Sequence, residues 1–108
     1  MEIIDRVLQS SVQAPPRTVD SVFKILVEEV GELARSLNRP HRCTEPPIAE
    51  IADVLNSAVD LVYMMEVEAL DRQGINKGAI NLAMLKRQIE KYVDHKCDKW
   101  DGLKETYQ

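Results

Sequence analysis

Apolar residues recur at three- and four-residue intervals through most of this chain, the period of α-helices buried along one side. Ile3, Ile4, Val7 and Leu8 predict a first helix from about Glu2 to Val12, stopped by Pro15-Pro16. Val22, Phe23, Leu26, Val30, Leu33, Ala34 and Leu37 form one face of a second. It starts between Thr18 and Ser21, any of which suits its cap, and ends near Asn38 before Pro40. Arg39 to Glu45 read as a loop. Pro46-Pro47 suit the first turn of a third helix, which reaches about Arg72 and ends at Gly74 as a left-handed cap. A fourth runs from about Lys77 to His95 on Ile80, Leu82, Leu85, Ile89 and Val93, and a polar tail follows from Lys96. No segment reads as a strand, and no internal repeat is present. Long helices on short connections predict an all-α fold, an antiparallel four-helix bundle over residues 1–108 as one domain.

The third helix departs from an ordinary amphipathic pattern. Ile48, Ile51, Ala52, Val54, Leu55, Ala58, Val59, Leu61, Val62, Met65 and Ala69 cover more than half of its circumference. A helix at the edge of a small monomeric bundle exposes more polar surface than this, so self-association with this helix central is expected. The alternative is that three neighbouring helices of the same chain cover it. Its polar remainder is a narrow stripe: Glu50, Asp53, Asn56, Ser57 and Asp60. A carboxylate there is costly unless paired or bound to a metal.

Two carboxylate pairs one turn apart are the candidate chemistry. Glu29/Glu32 lie on the second helix, at and just beyond the edge of its apolar face, and Glu50/Asp53 lie on the stripe of the third. Spacing alone carries little weight. With 18 acidic residues in 108, about three such pairs arise by chance, and the chain has five. Position separates them: Glu2/Asp5 suits a helix start, Glu68/Asp71 lies at a helix end and Asp98/Asp101 in the tail, whereas the other two border apolar faces. Glu28 points outward as solvated surface.

Composition narrows the classes. The chain is 44% hydrophobic, 30% charged and 5% aromatic, as in a globular protein with an aliphatic core. A net charge of −4 argues against general nucleic-acid binding, and an anionic substrate needs a metal or local basic groups. No apolar run is long enough for a membrane span, and Met1-Glu2-Ile3-Ile4-Asp5 lacks the features of a signal peptide, so a cytoplasmic location is expected. Cys43 and Cys97 form no disulfide framework. His41-Arg42-Cys43 and His95-Lys96-Cys97 have zinc-ligand residue types, but one intervening residue is shorter than usual zinc spacing, which favours solvated histidines and ordinary thiols.

The string Glu28-Glu29-Val30-Gly31-Glu32-Leu33, followed by Glu50-x-x-Asp53-Val54-Leu55 with 17 residues between Glu32 and Glu50, resembles the MazG-like all-α nucleoside triphosphate pyrophosphohydrolases. That superfamily includes dimeric dUTPases and phosphoribosyl-ATP pyrophosphohydrolase. The likeness spans roughly Val22 to Met65. It implies hydrolysis of an NTP or dNTP between the α- and β-phosphates with Mg²⁺, or Mn²⁺ in its place, and Glu29, Glu32, Glu50 and Asp53 as metal ligands and catalytic groups. It also implies a homodimer or homotetramer with sites near the subunit interface. Hard oxygen ligands suit Mg²⁺, and one of the four carboxylates is expected to accept the proton of the attacking water, the sequence leaving open which.

The remaining candidates are less specific. Lys24 matches a basic residue that precedes the first motif in relatives, one residue out of register. Lys86, Lys91 and Lys96 are phosphate partners or solvated surface. Asp60, two turns after Asp53, is a further ligand or a group that hydrogen-bonds the ligands. Asn56 contacts a nucleobase or, the favoured reading, bonds between helices. Asp60-Leu61-Val62-Tyr63 faintly resembles the phosphoribosyl-ATP branch. A helical interaction module without catalysis is the reading from a different class, with the acidic stripe meeting basic groups of a partner.

Overall fold

The computed structural model describes residues 2–107, with side chains from 2 to 103. Four α-helices and no strand are present among the described residues: α1 (Ile3–Gln13), α2 (Val19–Asn38), α3 (Pro47–Arg72) and α4 (Leu82–Tyr107). No helix among them is long and apolar enough to cross a membrane.

Local chemistry accounts for the helix limits. Pro15-Pro16 follow α1. Thr18 caps α2 reciprocally with Ser21: the Ser21 N–H donates to Thr18 Oγ1 and the Thr18 N–H to Ser21 Oγ, each at 3.1 Å. After α2, the Arg39 N–H donates to the Arg35 carbonyl and a short 3₁₀ turn over Pro40–Arg42 redirects the chain. Pro47 opens α3 at a position where its missing N–H costs nothing. Gly74, at φ 73°, ends it.

The fourth helix differs from expectation at both ends. Lys77–Ala79 form a separate 3₁₀ turn, because the Asn76 side chain accepts from the Gly78 N–H at 2.7 Å. Asn81 then accepts from the Met84 N–H at 3.1 Å and starts α4 proper. The helix continues through the segment expected to be a tail, since nothing from Lys96 to Tyr107 is proline and Gly102 alone costs only about 1 kcal/mol.

α2 and α3 form an antiparallel hairpin and make the most extensive helix contact. The start of α2 meets the far half of α3, where the Val19 N–H donates to Glu68, and Glu29 and Glu32 in the second half of α2 meet Glu50 in the first turns of α3. α1 lies on one face of α3. Its exit segment is tied there by Arg17, which donates to both Asp60 oxygens at 3.0 and 2.5 Å and to the Ser11 carbonyl at 2.9 Å, with its guanidinium over the Tyr63 ring. The buried core gathers Leu8, Val22, Tyr63, Met64 and Leu85, one or two from each helix, near this open end of the hairpin.

α4 reaches that core only through its first turns. Lys86 joins it to α1 by ion pairs to Glu2 and Asp5 at 2.6 and 3.0 Å, and from Glu90 to Leu103 every residue is exposed. The radius of gyration is 16.4 Å, against about 13 Å for a compact domain of this length. A single chain therefore does not close the expected bundle around α3. Phe23, Val27, Val30 and Leu37 on α2 and Ile48, Ile51, Leu55 and Met65 on α3 are exposed. At about 100° per residue the α3 stripe falls on the side away from Asn56 and Asp60, which face α1.

Candidate metal centre

The loop end of the hairpin holds five carboxylates. α2 contributes Glu29 and Glu32 from one helical turn, and α3 contributes Glu50 and Asp53 from its first two turns, where the helix N-terminus favours negative charge. Glu45, in the extended segment before Pro46-Pro47, adds a fifth. Two sets of potential ligand oxygens lie within 4.8 Å of one another: Glu29, Glu32 and Glu50 form one, and Glu45, Glu50 and Asp53 the other. Glu50 belongs to both.

Glu50 is the anomalous residue. It is 9% exposed, and its Oε2, like Oε2 of Glu29, is buried with no hydrogen-bond donor. An acceptor shielded from water without a donor is unfavourable, and more so when charged. Burial first, then the charges of Glu32, Glu45 and Asp53, raise the Glu50 carboxyl above its ordinary value, and Arg35 partly offsets them. Burial first, then Glu32, Asp53 and Glu50 do the same to Glu29, with a hydrogen bond to Glu32 adding to it. Each group is held back from ionising by the others. A divalent cation would relieve both costs at once, because it would supply the missing partner and offset the repulsion. The all-oxygen donor set suits a hard cation such as Mg²⁺ or Mn²⁺.

A cavity of about 430 Å³ opens onto the cluster, lined by Glu32, Arg35, Arg42, Cys43, Thr44, Glu45, Glu50 and Asp53. A second cleft of about 430 Å³ lies between α1 and α3, lined in part by Arg6, Ser10, Ser11, Asn56, Ser57 and Asp60. Asn56 and Ser57 follow Asp53 by one turn of α3, so this cleft continues the polar stripe that begins at Glu50.

The structure thus brings Glu29, Glu32, Glu50 and Asp53 together. Asn56 and Asp60 lie along α3 from them, with both Asp60 oxygens taken by Arg17. The expected lysines lie elsewhere. Lys24 pairs with Asp20 at 2.8 Å on the exposed side of α2. Lys86 is engaged by Glu2 and Asp5, which hold its ammonium well above its ordinary range. Lys91 lines a groove with Ile4 and Val93, its ammonium 5.9 Å from the Tyr92 ring centre, and Lys96 is exposed on the projecting part of α4. Cys43 and Cys97 are free thiols, and no ligand group of three or more among the described residues includes His or Cys.

Sequence reasoning missed Glu45, Arg35 and Arg42. Arg35 had a signal, since it follows Glu32 by one turn. Glu45 and Arg42 had none, because loop residues carry no periodicity. Compared with protein-family models, with curated proteins and with solved structures, this chain finds no match.

Proposed function

We propose that this chain is a divalent-metal-dependent nucleoside triphosphate pyrophosphohydrolase, which cleaves an NTP or dNTP between the α- and β-phosphates. The observation that carries this reading is the donorless, buried Oε2 of Glu50, shared by two carboxylate groups that join α2 to α3. A purely structural helix contact gains nothing from converging carboxylates around a buried one that no donor contacts, which also weighs against an interaction module. The order of the motifs, Glu29-x-x-Glu32 then Glu50-x-x-Asp53, supplies the choice of reaction.

In this mechanism Glu29, Glu32, Glu50 and Asp53 hold the cation, and Glu45 closes the group from the loop. Bound there, Mg²⁺ or Mn²⁺ screens phosphate charge and makes water more acidic. The chain's own part is to fix the reacting groups and take the proton. Water oxygen attacks the α-phosphorus, the bond to the bridging oxygen breaks, and a monophosphate and pyrophosphate leave while one proton passes to a cluster carboxylate.

The exposed stripes on α2 and α3 support self-association, with a second copy covering them and completing a four-helix arrangement from two hairpins, as a homodimer or homotetramer. Sedimentation of the wild-type chain is expected to give two or four copies, and Leu55→Asp to give one.

The deciding assay resolves pyrophosphate from orthophosphate over a panel of NTPs and dNTPs with Mg²⁺. Pyrophosphate with a monophosphate, abolished by chelation, is the expected result. Turnover of phosphoribosyl-ATP alone moves the substrate within the same chemistry. Turnover of neither overturns the enzyme reading.

A further inference from the structure

The α2–α3 loop region carries cations that the acidic cluster leaves unused. Arg35 and Arg42 line the same cavity as Glu32, Glu45, Glu50 and Asp53. Neither guanidinium makes an ion pair or hydrogen bond with any described residue. Arg35, on the last turns of α2, acts on Glu50 through its field and not through contact. Arg42 closes the 3₁₀ turn that begins at Pro40, a turn held by the Arg42 N–H to the Arg39 carbonyl at 3.0 Å and the Cys43 N–H to the Pro40 carbonyl at 3.2 Å.

The mixture of charges discriminates between ligand classes. A site for a bare cation gains nothing from two guanidiniums on its wall, because they repel the ion. A site for a bare anion is opposed by four carboxylates. Both sets together fit an anion that arrives on a divalent cation. Glu50, nine-tenths buried with a donorless oxygen in this cluster, independently calls for the cation. The guanidiniums then meet the anion, and their planar forks match the oxygens of phosphate groups.

The cavity also has a direction. Along α3, at about 1.5 Å per residue, Ser57 lies about 6 Å past Asp53, on the side away from the loop. There the stripe enters the cleft between α1 and α3, lined in part by Arg6, Ser10, Ser11, Asn56, Ser57 and Asp60, where Arg6 donates to Ser10 Oγ and Arg17 holds Asp60. Arg35 and Arg42 lie towards the loop.

We propose that Arg35 and Arg42 grip the terminal phosphates of the substrate, so that the pyrophosphate leaving group sits under the α2–α3 loop and the nucleoside extends along α3 past Asn56 and Ser57. This rests on the pyrophosphohydrolase reading and adds to it the polarity of the substrate in the groove. In the hydrolysis, the two guanidiniums also stabilise the negative charge that gathers on the departing pyrophosphate.

The test uses Arg35→Gln, Arg42→Gln and the double variant. Both side chains are exposed, and circular dichroism melts check that the variants fold. Inorganic pyrophosphate and the nucleoside monophosphate are compared as inhibitors of Mg²⁺-dependent hydrolysis, and Mn²⁺ affinity is measured directly by calorimetry. Each single variant is expected to weaken pyrophosphate inhibition by roughly 10-fold or more, the loss typical of a hydrogen bond to a charged group. Monophosphate inhibition and Mn²⁺ affinity are expected to remain within about 2-fold, as for groups that touch neither. Unchanged pyrophosphate inhibition overturns the clamp, and an equal or larger loss for the monophosphate overturns the polarity. If the wild-type chain hydrolyses nothing, the function reading fails separately. Calorimetry of inorganic pyrophosphate with Mn²⁺ then decides the clamp: binding by wild type that the double variant loses supports it, and any other result overturns it.

Discussion

The two ends of the α2–α3 hairpin use the same residue types and balance them in opposite ways. At the open end, α3 offers Asp60 and Glu68, and each meets a donor: Arg17 embraces Asp60, and the Val19 N–H, an orphan at the start of α2, donates to Glu68. Leu8, Val22, Tyr63, Met64 and Leu85 pack around that end. At the loop end, α3 offers Glu50 and Asp53, and what they meet is Glu29, Glu32 and Glu45. Matched charge and apolar burial hold the fold together at one end and carry the cost of unmatched charge at the other. Local conflict of this kind, confined to one place in an otherwise consistent helix pair, is the pattern that motivates the proposed site.

Substitutions at either end test the contrast. Glu50→Gln is expected to have the largest effect. On the proposed function, loss of this shared ligand is expected to lower turnover by roughly 10²- to 10³-fold, the worth of several kcal/mol of charge stabilisation. The same variant is expected to melt higher than wild type in metal-free buffer, since a repelled charge has gone. Steady-state rates and metal-free melts read both, and a lower melting temperature would make Glu50 a supporting member of the fold instead.

At the open end the sign reverses. Asp60→Asn or Arg17→Met is expected to destabilise by about 2 kcal/mol, between the ranges for exposed and buried pairs. The corresponding drop in melting temperature is about 10 °C for a chain of this size. The double variant is expected to cost less than the sum of the two, and strict additivity would mean that the pair contributes nothing.

A smaller effect follows from acidity. The Glu29 and Glu50 carboxyls lie above their ordinary value of 4.5 in the folded chain. The folded state therefore holds more protons than the unfolded one above that value, and stability from these groups falls as pH rises through it and through the folded values. The melting-temperature advantage of Glu50→Gln over wild type is expected to widen between about pH 4 and about pH 8, and to close again when Mg²⁺ is added at the upper end. An advantage independent of both pH and Mg²⁺ would remove the charge explanation.

Most of the helix limits and the four carboxylates that α2 and α3 bring together were legible before the structure. The capped start of α2, the proline start of α3 and the glycine after it depend on residues within a turn of the boundary, and α2 and α3 begin and end as expected. The start of α4 was misread because Ile80, Leu82 and Leu85 keep a helical period, while Asn76, Gly78 and Asn81 capture backbone N–H groups at the same place. Its end was misread because polar residues were taken for a tail, although polarity does not stop a helix that projects into solvent. At the site, the faces of α2 and α3 pointed to Glu29, Glu32, Glu50 and Asp53. The loop residues Glu45 and Arg42 were invisible to that argument.

What the sequence alone determined is everything that follows from the 3.6-residue period: four helices, which side of each is apolar, and a stripe of carboxylates on a helix too apolar to carry them casually. These are local properties, set within a few residues. The tertiary structure decided which charges meet. Asp60 belongs to Arg17, 43 residues away, and Lys86 to Glu2 and Asp5 at the other end of the chain, whereas Glu50 is left among its own kind. Charge pairing depends on separations of a few ångströms. Those separations follow from the rotation of each helix about its axis and the path of each loop, which only packing of the whole chain fixes.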